Sequence, residues 1–378
     1  MNEQIYTNYR LQLPDQELIG TLVVRDGLIA DIQPGIVSLG QQGNGDYLLP
    51  GLIELHTDNL ERCISPRPGI DWPIEAAAIY HDRDMAAAGI TTVCDAIAVG
   101  DVAIGSPRLT KYAPMIEVVT QGQNQGKFSV DHRLHLRCEL AYEYVCQIIE
   151  QYTEHPLLKL ISLMDHTPGQ RQFTRIDKFK EYYMGKHGVS HSQIDDLIDT
   201  RQKKQLEYAD KHRRKLVEIS QIKGISLASH DDATEDHVLE AVKDGVAIAE
   251  FPTTLAAAKA SHGNGLQVLM GAPNLVLGKS HSGNISAMEL VELDLVDIIS
   301  SDYVPQSLLH SAFVISQKTG KPLYQTLATI TINPAKAIKL DHDRGSLEIG
   351  KRADLLIVQV DGIVPRLKSV FSQGLRVA

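Results

Sequence analysis

The 378-residue sequence predicts an α/β protein: a (β/α)8 TIM-type barrel with a small β-sandwich domain formed by both termini. Three observations predict it. Between about residue 50 and residue 305, short apolar, β-prone runs alternate with segments of helical character, the pattern of repeated βα units around a parallel sheet. At both ends, Leu11 to Ile32 and Asp354 to Val377 show instead short alternating strands with glycine turns, Asp26-Gly27 and Asp361-Gly362. Finally, polar residues able to bind a cation recur where the middle strands end, which is where barrels of this kind carry their sites. The expected domains are residues 1–49 with 339–378, and a barrel at 50–338.

The first barrel strand is the run through Leu52 and Ile53 that leads to His56 and Asp58. Strand side chains alternate faces, so residues two apart point the same way and can grip one ion. A helix from about Ile74 to Ala88, ended by Gly89, precedes the strand Ile90 to Ala96. A second helix follows Pro107. The strand Arg133 to Glu139 is followed by a helix to about His155 and the strand Leu157 to Asp165. The polar, aromatic and charged stretch of about 167–215 is too long for a simple connection and is expected to be a helical lid. Shorter units resume at Ile225 to His230, Val246 to Glu250, Leu266 to Gly271 and Val296 to Asp302, making eight strands, enough to close a barrel.

Composition narrows the function classes. With 43% hydrophobic and 22% charged residues the chain is ordinarily globular, and no apolar stretch approaches the roughly 20 residues of a membrane span. No membrane partner is expected, and the cytoplasm is the expected location. A net charge of −10 argues against nucleic acid, since phosphate neutralisation needs the opposite sign. Cys63, Cys94, Cys138 and Cys146 show no zinc-finger or CxxC spacing and read as reduced.

The candidate metal ligands are His56, Asp58, Glu139, His166, His230 and Glu250, each at or just beyond the end of a predicted strand; Asp302 closes the eighth. An isolated His-x-Asp is more often a wet turn, and Asp302 in Ser300-Ser301-Asp302 has the form of a helix cap. Recurrence at strand after strand is what favours a metal. His81, His132, His135, His155, His187, His191 and His212 lie outside this rule and receive no chemical role.

The motifs Leu49-Pro50-Gly51-Leu52-Ile53 before His56, Asn333-Pro334-Ala335 and Gly345-Ser346-Leu347-Glu348-Ile349-Gly350-Lys351-Arg352-Ala353-Asp354-Leu355 resemble the amidohydrolase superfamily. The series Glu54 to Leu60, His132 to Glu139, Leu163 to Phe173, Ala228 to Thr234, Ala249 to Thr254, Ser280 to Asn284 and Ser300 to Tyr303 narrows the resemblance. It points to the branch that cuts the triphosphate of a phosphorylated sugar phosphonate, leaving a monophosphate and pyrophosphate. The resemblance implies one or two divalent ions per chain, Zn, Mn or Fe, and casts Asp302 as the carboxylate that accepts a proton from the attacking water. Asp58 stands where the superfamily usually has a second His, and no Lys ends the fourth strand. Glu250 stands where a His ligand is common, and either binds metal or orients His230.

For a polyanionic substrate the expected contacts are Arg67, Arg137 and Arg171, whose guanidinium groups can hold phosphate oxygens in pairs, with His281 and Asn284 in a Gly/Ser loop. Two other functions are compatible with the same residues: amidohydrolysis of a C–N bond, as in a deacetylase or cyclic amidase, and a non-catalytic barrel scaffold. A homodimer is the expected assembly, though no residue argues for it.

Overall fold

The structure, a computed structural model, describes residues 3–101, 106, 108–171, 180, 191–278 and 283–378. Strands β1 (Glu3–Gln12), β2 (Glu17–Arg25), β3 (Leu28–Pro34), β4 (Gln41–Gln42) and β5 (Tyr47–Pro50) join β14 (Leu355–Asp361), β15 (Val364–Ser372) and β16 (Leu375–Arg376). They form one sheet of order β16-β15-β14-β5-β1-β2-β3, with β4 beside β1. Both termini therefore build it, as expected. Its pairing is antiparallel except that β1 runs parallel to β4 and β5. Tyr9 and Leu11, Leu22 and Val24, Leu355 and Ile357 are buried at period two and pack into one cluster, each large side chain contributing about 2 kcal/mol.

The second sheet is parallel, and each strand lies beside its neighbour in the chain. Its strands are β6 (Leu52–Thr57), β7 (Ile90–Val99), β8 (Asp131–Glu139), β9 (Leu158–Met164), β10 (Ser226–His230), β11 (Ile248–Glu250), β12 (Gln267–Gly271) and β13 (Ile298–Ser300). All ten residues of β7 are buried, which is why this strand reads as a continuous run rather than an alternation. Beyond β13, Asp302 pairs with Thr57 and closes the barrel seam. Thr57 Oγ1 donates to the Asp302 carbonyl at 2.7 Å, and Asp302 N donates to the His56 carbonyl at 3.1 Å. Fold class and strand count are those the sequence predicts.

The connecting helices follow local rules. The helix Ile74–Ala87 stops because Gly89, at φ +86°, takes the left-handed turn that starts β7. Thr234 caps Glu235–Lys243 through His237 N, and Thr254 caps Leu255–Gly263 through Ala257 N. The helix expected to reach His155 spans only Val145–Glu150 before the chain breaks into turns. In the expected lid, a 33-residue helix, His191–Lys223, is described; 172–179 and 181–190 lie outside the described residues. No helix among the described residues is long and apolar enough to cross a membrane.

By packing, the chain divides into two compact units: Met1–Asp95 with Val118–Arg133 and Met270–Ala378, and Ala96–Glu117 with Leu134–Leu269.

Candidate metal centre

In the first unit, His56 is the penultimate residue of β6 and is buried. The strand ends at Thr57, so Asp58 precedes the helix Asn59–Ile64 instead of continuing β6 as its spacing suggested. The seam compensates. Asp58 N donates to the Asp302 carbonyl at 3.3 Å, and one ligand atom from each of His56, Asp58 and Asp302 lies within 4.8 Å of the others. Asp302 sits at φ +55°, a conformation that costs a non-glycine residue free energy and that the seam bonds enforce. Glu54, fully buried two residues before His56, accepts the amides of His56 at 2.6 Å and Ser301 at 2.5 Å. Burial raises its carboxyl above the usual range, while these amides favour the ionised form.

The same unit holds a second polar group, on residues given no role from sequence. His81 Nε2 and His132 Nδ1 meet the two oxygens of Asp95 at 2.6 and 2.9 Å. Asn59 Nδ2 lies 3.1 Å from His81 Nδ1, and His132 Nε2 lies 3.4 Å from Asp82 Oδ1. Burial disfavours charge on His132, but carboxylates at both ring nitrogens outweigh it and hold its pKa up at about 9. Asp95 is buried too, yet the two imidazoles keep its carboxyl well below its ordinary value.

In the second unit, two histidines are held alike. His166 Nδ1 lies 2.8 Å from Glu139 Oε2, and His166 N donates to Glu139 Oε1 at 3.3 Å. His230 Nδ1 lies 3.1 Å from Glu250 Oε2, its direct neighbour across β10 and β11. A carboxylate can only accept, so each Nδ1 carries a hydrogen, which leaves Nε2 as the nitrogen that can turn to a cation; that of His230 lies 3.4 Å from Asp231 Oδ2. That is the tautomer a metal-ligating imidazole needs, fixed by the partner such ligands usually have. Ligand atoms of His166, His230 and Asp231 lie within 4.8 Å of one another. The residues present therefore fit a divalent cation.

Asp231 was missed because strand alternation places it on the face opposite His230. β10 ends at His230, and φ +56° at Asp231 turns the chain back. Phe251, directly after Glu250, does the same at φ +53°. The long helix pins the His166 loop: Arg201 Nη1 donates to the His166 carbonyl at 3.4 Å, Gln202 to that of Pro168 at 3.2 Å, and Gln205 to Asp165 at 3.3 Å.

The expected substrate contacts are differently placed. Arg137 is buried on β8, on the same strand face as Glu139. Arg171 is buried and ion-paired with Asp232 and, at 3.2 Å, with Glu240, so its guanidinium serves a structural cluster. Arg67 is exposed in a turn where Ile70 N donates to its carbonyl, and Asn284 is half-buried in a loop. His281 lies outside the described residues.

The amidohydrolase family matches residues 47–376. Over 377 residues, 99% of this chain and 100% of the relative, the sequence is 43% identical to alpha-D-ribose 1-methylphosphonate 5-triphosphate diphosphatase of Escherichia coli (strain K12). Among solved structures, N-acetylglucosamine-6-phosphate deacetylase from Pasteurella multocida matches with a TM-score of 0.65 at 15% identity, covering 100% of both chains. A Xaa-Pro dipeptidase with bound methionine in its active site matches at 0.66 and 15%, again over 100% of both. These two share the fold with the present chain. With its barrel, its strand-end imidazoles and carboxylates and the extent of the match, the chain belongs to the amidohydrolase family.

Proposed function

We propose that the protein hydrolyses alpha-D-ribose 1-methylphosphonate 5-triphosphate to the 5-phosphate and pyrophosphate, using one or two divalent ions, Zn, Mn or Fe. The observation that carries the reading is the 43% identity, over essentially the full length of both chains, to a diphosphatase of that name. His56, Asp58, His166 and His230 are the proposed ligands, with Asp231 added from the geometry; Glu139 and Glu250 hold the imidazoles of His166 and His230 in register. A divalent cation held by either group would supply Lewis acidity and counter-charge for phosphoryl oxygens. Asp302, held at a fixed backbone angle by the seam, accepts the proton released by the attacking water. Arg137, on the strand face that carries Glu139, is the first choice for holding phosphate oxygens, ahead of Arg67, Asn284 and His281.

A chain with net charge −10 repels a polyanion at long range, so these local charges must supply the attraction. The test is a mass-resolved assay of the purified, metal-loaded protein in ¹⁸O water. Pyrophosphate release with label in the sugar monophosphate supports attack at the α-phosphorus. Absence of pyrophosphate, with turnover of an N-acetyl sugar phosphate or a cyclic amide instead, would overturn the reading.

A further inference from the structure

A chain of buried donors lies behind His230. Glu250 Oε2, which receives Nδ1–H of His230, also accepts the hydroxyl of Ser162 at 2.6 Å. A serine hydroxyl has one hydrogen to give. Having given it to Glu250, Ser162 meets His135 Nε2 as an acceptor, so His135 must carry its hydrogen on Nε2. The same nitrogen lies 3.8 Å from Glu250 Oε1. His135, Ser162, Glu250 and His230 are exposed by 0%, 0%, 1% and 5%, so bulk water cannot readily replace a lost donor. Every hydrogen in the chain has one permitted direction, from His135 through Ser162 to Glu250, with His230 donating from the other side.

We propose that Ser162 and His135 are positioning residues of the metal centre. They fix the rotation of the Glu250 carboxylate, which keeps the hydrogen of His230 on Nδ1 and its Nε2 lone pair turned to a cation. A polar pair buried only to fill space would need no such directed order. The inference rests on the metal-dependent reading above and adds two residues to it.

The experiment is Zn²⁺ and Mn²⁺ titration of the metal-depleted full chain against a chromophoric chelator, with thermal unfolding of the metal-free proteins alongside. Ser162→Ala and His135→Leu are expected to weaken binding 10–100-fold, the range for loss of partners behind a ligating His. His135→Gln, which restores an N–H at a similar reach, is expected to recover most of that loss even where it does not recover thermal stability. Ser162→Ala binding as tightly as wild type would overturn the inference, and so would Gln and Leu at 135 binding equally weakly. Should Ala at 162 not fold, the pair at 135 decides alone. Wild-type protein that takes up no stoichiometric metal would remove the functional reading and this inference with it; tight wild-type binding with unaffected variants removes the inference only.

Discussion

Replacing His132 by Gln tests the buried His81–Asp95–His132 network through its pH dependence. Both ring nitrogens of His132 face carboxylates, Asp95 at 2.9 Å and Asp82 at 3.4 Å, so the folded protein holds the imidazolium. Its pKa rises from 6.5 to about 9. At about 1.4 kcal/mol per pH unit, that rise is worth about 3 kcal/mol. Because the folded-state value is raised, the contribution is complete below pH 6.5 and is lost as pH climbs through about 9. Asp82 and Asp95 are shifted downward and titrate in acid, outside this window. Urea unfolding of wild type and His132→Gln at pH 6 and pH 9.5 isolates the effect, since thiols, tyrosines and lysines titrate alike in both. The advantage of wild type should shrink by about 3 kcal/mol between the two pH values. Parallel pH profiles for the two proteins would refute the buried imidazolium.

Asp302→Asn should keep its metal, since Asn tolerates the φ of +55°, and lose turnover by about 10²–10⁴-fold, while His56→Ala should lose metal as well; metal analysis and kcat on the same samples check both. Removing metal by chelation should abolish pyrophosphate release and lower the unfolding free energy by about 2.7 kcal/mol relative to protein at a metal concentration 100 times Kd. Arg171→Met should cost about 3–5 kcal/mol by leaving the buried Asp232 carboxylate without its guanidinium, while Glu240 keeps Arg213 at 3.0 Å; unchanged thermal stability with a raised KM would instead assign Arg171 to phosphate. Thr254→Ala should cost about 1 kcal/mol of stability through loss of the cap on Leu255–Gly263, read by urea unfolding.

The barrel was legible because its strands are short apolar runs punctuated by helices, and a parallel sheet of sequence neighbours follows from that alone. Strand ends were legible to within a few residues: Glu139, His230 and Glu250 are the last residues of β8, β10 and β11. What alternation could not foresee is where a strand yields to a turn. Asp58 leaves the strand and Asp231 is swung round by a left-handed backbone, so period-two reasoning misplaces one and overlooks the other. The buried polar pairs were invisible for a different reason. Ser162 and Glu250 are 88 residues apart, and His132 and Asp82 are 50 apart; nothing local marks them as partners. One signal was available and unused: His135, Arg137 and Glu139 share a strand face, and an apolar core gives no reason for three ionisable side chains in a row.

The seam has a consequence for how the protein is made. Thr57 finds its partner Asp302 only 245 residues later. During synthesis the open edge of β6 must wait for nearly the entire barrel to emerge, and such distant pairings are slow to form. The backbone bonds that join the His56–Asp58 corner to Asp302 are therefore made only when the ring is sewn shut, which puts the completion of that corner among the last steps of folding.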